Sequence, residues 1–244
     1  LEFPWDRTRP SRQTTHGSSL PFTIDAGLVA RLKSIRKQGS RKESSSTDAS
    51  LFVLLLTGLN ILLSRYSQQN DIVIGTAVAN RDYSQTESIL GLFVNSLAIR
   101  TKIDGELSFF DFLHQVGQNF LSAFEHRELP FEKVVEQINV DRNLSYTPVF
   151  QTMLVLQNAS DDRIALSGLD VTVLPVQSTS AKFDLSFILQ ESLNSGSLEE
   201  LNGIIEFNTD LFDADSVREI MASYLTLLEA ICDSPENSIA SYSL

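Results

Sequence analysis

Cysteine is nearly absent from this chain: Cys232 is the only one in 244 residues. That scarcity excludes an internal disulfide and any cage of thiolates around a metal, and it points to a reducing, cytoplasmic compartment. Histidine is almost as rare. His16, His114 and His126 are too far apart for a compact zinc motif, and no HExxH occurs, so no metal site is expected. Basic residues are outnumbered, 19 Lys and Arg against 31 Asp and Glu, for a formal net charge of −12. This balance disfavours a phosphate-backbone partner, and no nucleic acid is expected. Long apolar runs are missing as well. The longest, residues 51–63, is broken by Thr57, Gly58 and Asn60, below the roughly 18 to 20 apolar residues of a membrane span, so no membrane partner is expected. There is no Gly-rich loop ending in Lys-Ser or Lys-Thr, no GxGxxG and no GxSxG. Nucleotide binding and a hydrolase nucleophile elbow are thereby disfavoured.

What is present suits a globular core: 42% hydrophobic residues and 15 Phe. The opening LEFPWDRTRPSRQTTHGSS is polar and lacks a period, and it reads as a loosely held connector over residues 1–19, ahead of one domain over 20–244. SLPFTI (19–24) reads as a strand. The segment after it reads as a helix capped by Asp25, with Arg31, Lys33, Arg36, Lys37, Arg41 and Lys42 on its solvated face and in the following loop. Apolar residues on all sides of TDASLFVLLLTGLNILLSRYS predict a buried helix from about Thr47 to Tyr66. DIVIGTAV (71–78) reads as a buried strand. Helical spacing of Phe109, Phe112, Leu113, Val116, Phe120 and Phe124 predicts a helix, and a second is expected to start with Pro130 at its first position. Strands are expected near 150–157, 169–174, 182–190 and 202–208. A closing helix should bury Val217, Ile220, Met221, Tyr224, Leu228 and Ile231. Alternating elements of this kind predict an α/β fold, helices packed on a mixed sheet.

GLFVNSLAIR (Gly91–Arg100) reads as a strand apolar on both faces, with one polar exception on each, Asn95 and Ser96. Both need partners inside the protein or in a water-filled channel. His126, in the charged run Glu125–Glu128, has the chemistry of a base, but its place before the Pro130 turn fits a turn residue better, with Glu132 as a cap residue.

Four stretches in order, PWDRTRP (4–10), GLFVNSLAIR (91–100), HRELPFEKVVEQI (126–138) and DRNLSYTPVFQTMLVLQN (141–158), resemble the second half of a nonribosomal peptide synthetase condensation domain. DIVIGTAVANR, AKFDLSF and IIEFNTDLFDADSV resemble it too, so the likeness covers essentially the whole chain. It implies a chloramphenicol-acetyltransferase-like lobe of a two-lobed pseudo-dimer. Amide bonds would form in a tunnel between the lobes, from substrates on the 4'-phosphopantetheine arms of carrier proteins, with no cofactor held by the lobe itself. Implied partners are the N-terminal condensation lobe, donor and acceptor peptidyl carrier proteins and an adjacent adenylation domain.

The family's HHxxxDG motif belongs to the preceding lobe, and no HH pair occurs in this sequence. The resemblance therefore implies an inactive half-site with no catalytic residue of its own. Phe93, Asn95 and Ser96 would face the tunnel, while Gly91, Arg100, His126, Pro130, Phe131, Glu132, Arg142, Pro148, Lys182 and Asp184 would be structural motif residues. The chain departs from the family pattern at His126-Arg127-Glu128, where His-Gln-Asp is usual, and at Arg142-Asn143, where Arg-Asp is usual. Two other readings are weighed: a non-catalytic lobe that docks carrier proteins or neighbouring synthetase domains, and an epimerisation-type relative, disfavoured by the Phe-Val-Asn run. A stand-alone acyltransferase would need His126 as its base.

Overall fold

The computed structural model describes residues 1–39, 50–81, 84–138, 143–157, 169, 178–191 and 200–243. In chain order the elements are β1 (Gly17–Ile24), α1 (Ala26–Gly39), α2 (Leu51–Ser67), β2 (Asp71–Val78), α3 (Ser84–Glu87), β3 (Asn95–Lys102), α4 (Phe109–Glu125), α5 (Phe131–Gln137), β4 (Thr152–Gln157), β5 (Leu185–Glu191), β6 (Leu201–Asn208) and α6 (Ala214–Asp233), followed by a short 3-10 turn, Ile239–Ser241. All but the first residue of the expected strand near 169–174, Arg142, and the side chains of Arg36, Lys37, Arg41 and Lys42 lie outside the described residues.

Among the described residues, six strands form one mixed sheet in the order β1-β6-β5-β4-β2-β3. Strands β2, β4 and β5 run parallel, while β3, β6 and β1 pair antiparallel with their neighbours. The expected α/β class is the observed one. Side chains alternate across this sheet. On one face Ile74, Ile99, Leu154, Leu185, Phe187, Leu189, Ile205 and Phe207 are buried under the helices, with α2 packed on β2, α4 on β3 and α6 on β1 and β6.

Helix α2 occupies the centre, and its all-round apolar character is why. Its two mid-helix polar side chains turn back on their own backbone, Thr57 Oγ1 donating to Val53 O (2.7 Å) and Asn60 Nδ2 to Leu56 O (2.8 Å). Its cap is Ser50, whose hydroxyl accepts from Val53 N–H (3.3 Å), so the helix begins at Leu51, later than the predicted Thr47. Asp25 caps α1 as expected, accepting from Leu28 N–H (2.9 Å).

Two expectations are overturned. Residues 1–16 are not loosely held. Phe3 is in the core, Asp6 and Arg7 N–H both donate to Leu211 O, and Asp6 accepts from the N–H of Asp213 (2.7 Å) and the hydroxyl of Ser216 (2.7 Å) at the start of α6. A polar, proline-bearing segment has no period to read, yet its side chains satisfy groups distant in sequence. The second correction concerns GLFVNSLAIR. The strand begins at Asn95, after an irregular segment in which Leu90 is 100% and Leu92 92% exposed. It lies at the sheet edge, with only one face buried.

Candidate functional site

The two polar residues of the NS pair face opposite ways. Asn95 stands opposite Val78 and Ser96 opposite Ala77 in β2, so Asn95 shares the helix-covered side with Leu97 and Ile99, and Ser96 shares the other side with Ala98 and Gly75.

Asn95 is saturated. Its Nδ2 donates to Arg127 O (2.8 Å) and Leu129 O (2.7 Å), and its Oδ1 accepts from Ser96 N–H (2.9 Å) and Phe131 N–H (3.1 Å). A primary amide has two donor hydrogens and two acceptor lone pairs, and all four are used on backbone groups. The topology explains the need. Helix α4 lies on the helix-covered face and α5 starts on the other, so the turn between them crosses the open edge of β3.

That turn holds most of the HRELPFE motif. His126 ends α4, with Nδ1 on Ser122 O (2.9 Å). Pro130 is the cap of α5 rather than its first residue, with ψ of 135° that holds it in extended backbone. Glu132 lies in the first turn of α5. Phe131 packs at 5.2 Å and a tilt of 49° against Phe150, which in turn stacks at 5.3 Å on Phe183. Phe150 covers Gly75 so closely that a Cβ there would meet its ring at 2.1 Å. The ring is aimed by an unusual turn: Phe150 N–H donates to Pro148 O (2.9 Å) across Val149, whose φ is 70°, a rare backbone conformation for a β-branched residue.

The rest of this face is uncovered among the described residues. Val73, Ala98, Met153, Val155 and Ile188 are only partly buried, and Ile204 is exposed. The chain leading into β3 forms a ridge of exposed apolar side chains, Ile89, Leu90, Leu92 and Val94, and Leu129, whose carbonyl meets Asn95, is exposed as well. Arg81 organises the base of that ridge. It donates to the carbonyls of Thr86, Ile89 (3.1 Å) and Gly91 (3.4 Å) while its guanidinium lies 4.3 Å from the Phe93 ring. Sequence reasoning missed Arg81, although an arginine ten residues before a Gly-Leu-Phe turn has the reach and donors to bind it.

A cavity of about 620 Å³ opens at the carboxyl ends of β2, β4 and β5, where ligands of open α/β sheets bind. Thr76, Val78, Leu156 and the mutually tilted rings of Phe52, Phe120 and Phe124 give it an apolar wall, and Lys33, Arg81, Arg127 and Glu191 stand around it. Its chemistry suits a ligand with an apolar body and a polar end.

Three further motif residues have contacts of their own. Asp184 accepts both Arg9 guanidinium nitrogens, Nη1 to Oδ1 at 3.1 Å, in a pair only 13% and 9% exposed. Arg9 also packs between Trp5 (4.6 Å) and Tyr146 (5.7 Å). The PWDRTRP and AKFDL motifs thus meet in space. Lys182 O accepts from Gln13 Nε2 (2.9 Å). Arg100 pairs with Asp71 through two hydrogen bonds (2.8 and 2.6 Å), and this partner holds the Asp71 carboxyl below the usual carboxylate range. No three His, Cys, Asp or Glu among the described residues gather to hold a metal, and none of their helices is long and apolar enough to cross a membrane.

Comparison with known proteins places this geometry in a family. The family model described as Condensation domain matches residues 1–244. The chain is 40% identical over 246 residues to a subunit of the linear gramicidin synthase of Brevibacillus parabrevis, and 32% identical over 244 residues to surfactin synthase subunit 1 of Bacillus subtilis (strain 168). Each alignment covers 100% of this chain but only 3% and 6% of those relatives. Among solved structures, the X-domain from teicoplanin biosynthesis superposes with a TM-score of 0.86 at 26% identity, covering 99% of this chain and 53% of that one. Holo-AB3403, a four-domain nonribosomal peptide synthetase bound to AMP and glycine, gives 0.85 at 26% identity over 99% of this chain and 19% of that one. The chain belongs to the condensation-domain family of nonribosomal peptide synthetases.

Proposed function

We propose that this chain is the C-terminal lobe of a condensation domain, with residues 1–19 as the inter-lobe linker and residues 20–244 as the lobe, forming one wall of the tunnel in which amide bonds are made between carrier-bound thioesters. The observation that carries this reading is the pairing of a family match over residues 1–244 with a sequence that has no HH dipeptide anywhere. The uncovered sheet face and the exposed ridge leading into β3 supply what a first lobe would cover. Ser96, on that face, is the residue proposed to meet substrate. Phe93, held at the base of the ridge by Arg81, is proposed to line the entry. Substrates would arrive on 4'-phosphopantetheine arms, from donor and acceptor carrier proteins, with an adenylation domain next in the polypeptide and the whole assembly cytoplasmic.

General acid-base help contributes about 10² to 10⁴-fold, and alignment of two tethered substrates contributes more, but both need the complete cleft. The chain alone, mixed with both loaded carrier proteins, should therefore give no dipeptide above the no-protein control in an intact-mass assay. Joined to an N-terminal lobe carrying HHxxxDG, it should condense. Dipeptide from the isolated chain would overturn the half-site reading.

A second reading is that the lobe docks proteins without catalysing. It is favoured by one comparison: the teicoplanin X-domain, solved in complex with OxyB, superposes with a TM-score of 0.85 at 26% identity. A parent polypeptide whose HHxxxDG is corrupted, and which still binds a neighbouring protein, would select this reading.

A further inference from the structure

We propose that Asn95 is the positioning residue of the lobe's partner-facing surface, a role that rests on the condensation-lobe reading above: its single carboxamide pins the Arg127–Phe131 turn to the start of β3 and so sets the exposed Leu129 where the exposed apolar run ending in Val94 enters the strand. Three observations carry this. First, the amide's capacity is fully spent on backbone at 2.7 to 3.1 Å, three of the four bonds reaching across 32 to 36 residues of sequence. A side chain with no remaining donor or acceptor holds geometry and leaves nothing to offer a substrate.

Second, the turn's own backbone bonds are local, Arg127 N–H to Phe124 O (3.1 Å) and Leu129 N–H to His126 O (3.0 Å), and Asn95 supplies the side-chain bonds that carry it to β3. Helix α5 has no buried residue, and Leu129 is exposed. The turn passes round a sheet edge, where the backbone has no neighbouring strand to pair with. Elsewhere on this edge the carbonyls of Lys102 and Arg100 take side-chain amides from α4, Gln115 Nε2 (2.7 Å) and Asn119 Nδ2 (3.1 Å). Asn95 does the reverse, reaching outward from the strand to the crossing chain.

Third, the same turn ties the two regions described above. Arg127, whose carbonyl Asn95 holds, stands at the cavity with its guanidinium 4.3 Å from the Phe124 ring, and Phe131, whose N–H Asn95 holds, begins the row of packed rings on the uncovered face. Loss of the carboxamide would release both ends together while the buried sheet stays formed.

The test has two arms. In hydrogen exchange on the 244-residue chain, Asn95→Ala should lower the protection of the Ser96 and Phe131 amides by about tenfold or more while the β2 amides keep theirs. Unchanged protection at both amides would overturn the proposal. The second arm uses a two-lobe condensation domain with both loaded carrier proteins, at a temperature where every variant is folded. Asn95→Ala should slow condensation by about tenfold. Asn95→Asp, which keeps the acceptor for Ser96 and Phe131 but turns an oxygen toward the Arg127 and Leu129 carbonyls, should do the same. Leu97→Ala, a core cavity on the same strand, should leave the rate per folded molecule unchanged. Equal rates for wild type and Asn95→Ala would overturn the positioning role. A wild-type two-lobe protein that makes no amide bond would overturn the condensation reading instead, and the exchange arm would then decide the clamp by itself.

Discussion

Arg9 and Asp184 are separated by 175 positions in sequence and share a two-pronged ion pair beneath Trp5 and Tyr146. Removing one member of a buried pair leaves the other charge desolvated and unpaired, which costs more than the pair's own attraction is worth. Arg9→Ala should lower unfolding free energy by about 3 kcal/mol in urea titration, and Arg9→Met with Asp184→Asn should lose less than Arg9→Ala alone. A double variant as unstable as the single one would show that packing, rather than charge, dominates there. Gly75 makes a similar case for shape. A methyl group at that position would overlap the Phe150 ring at 2.1 to 2.5 Å, and a ring only 2% exposed and packed against both Phe131 and Phe183 has little room to retreat. Gly75→Ala should destabilise by about 1 to 3 kcal/mol.

Among the elements, β6 and α6 carry the clearest consequences. Glu206 stands on the uncovered face, opposite Ser186 in β5 and Ser19 in β1, and partial burial raises its carboxyl above the usual glutamate range despite contacts with Lys182 and Ser178. Its sign follows from linkage. Below the ordinary glutamate value both states are protonated and the group is neutral to stability. Between that value and the raised one the folded chain binds the extra proton, so stability falls as pH rises through this window. Glu206→Gln should therefore gain stability over wild type at about pH 7 and little at about pH 4, measured as urea midpoints. Asp71 acts in the opposite sense: its carboxyl is depressed by Arg100, so its contribution is present at neutral pH and lost as pH falls through the lowered value. Asp6, more than 200 residues away, braces the start of helix α6 by accepting from the N–H of its cap residue Asp213 and from the Ser216 hydroxyl, while Asp213 turns its own carboxylate to Arg7. Asp6→Ala should cost about 1 kcal/mol, in the range of lost hydrogen bonds to a charged acceptor, read as a drop in Tm.

For the whole molecule, the asymmetry of the sheet is decisive. One face is sealed by α1, α2, α4 and α6, and the other leaves Val73, Met153, Val155, Ile188 and Ile204 partly or wholly uncovered among the described residues. Contiguous apolar surface of this kind promotes association, and domain interfaces within a chain commonly bury about 600 to 1,500 Å². The chain should self-associate weakly in sedimentation runs across a concentration series, and adding an N-terminal condensation lobe should dissolve the self-association. A strictly monomeric chain that also ignores the added lobe would leave the uncovered face without its proposed partner.

The linear pattern of residues by itself determined the α/β class, the buried α2 and most strand positions, because periodicity and capping are local properties that survive any tertiary arrangement. Ordered motifs carried the family, since PWDRTRP, GLFVNSLAIR and HRELPFEKVVEQI are legible without coordinates. Tertiary structure decided the rest, wherever a residue's role depends on a partner far along the chain. GLFVNSLAIR looks buried on both faces until the strand order puts β3 at the edge. Residues 1–16 look like a tether until Asp6, Arg7 and Arg9 find α6 and Asp184. Asn95 and Ser96, neighbours with the same apparent need for partners, were separated only by the pleat: alternation sends one amide into the crossing turn and the other hydroxyl to the open face, and no local pattern reveals which side the helices will cover.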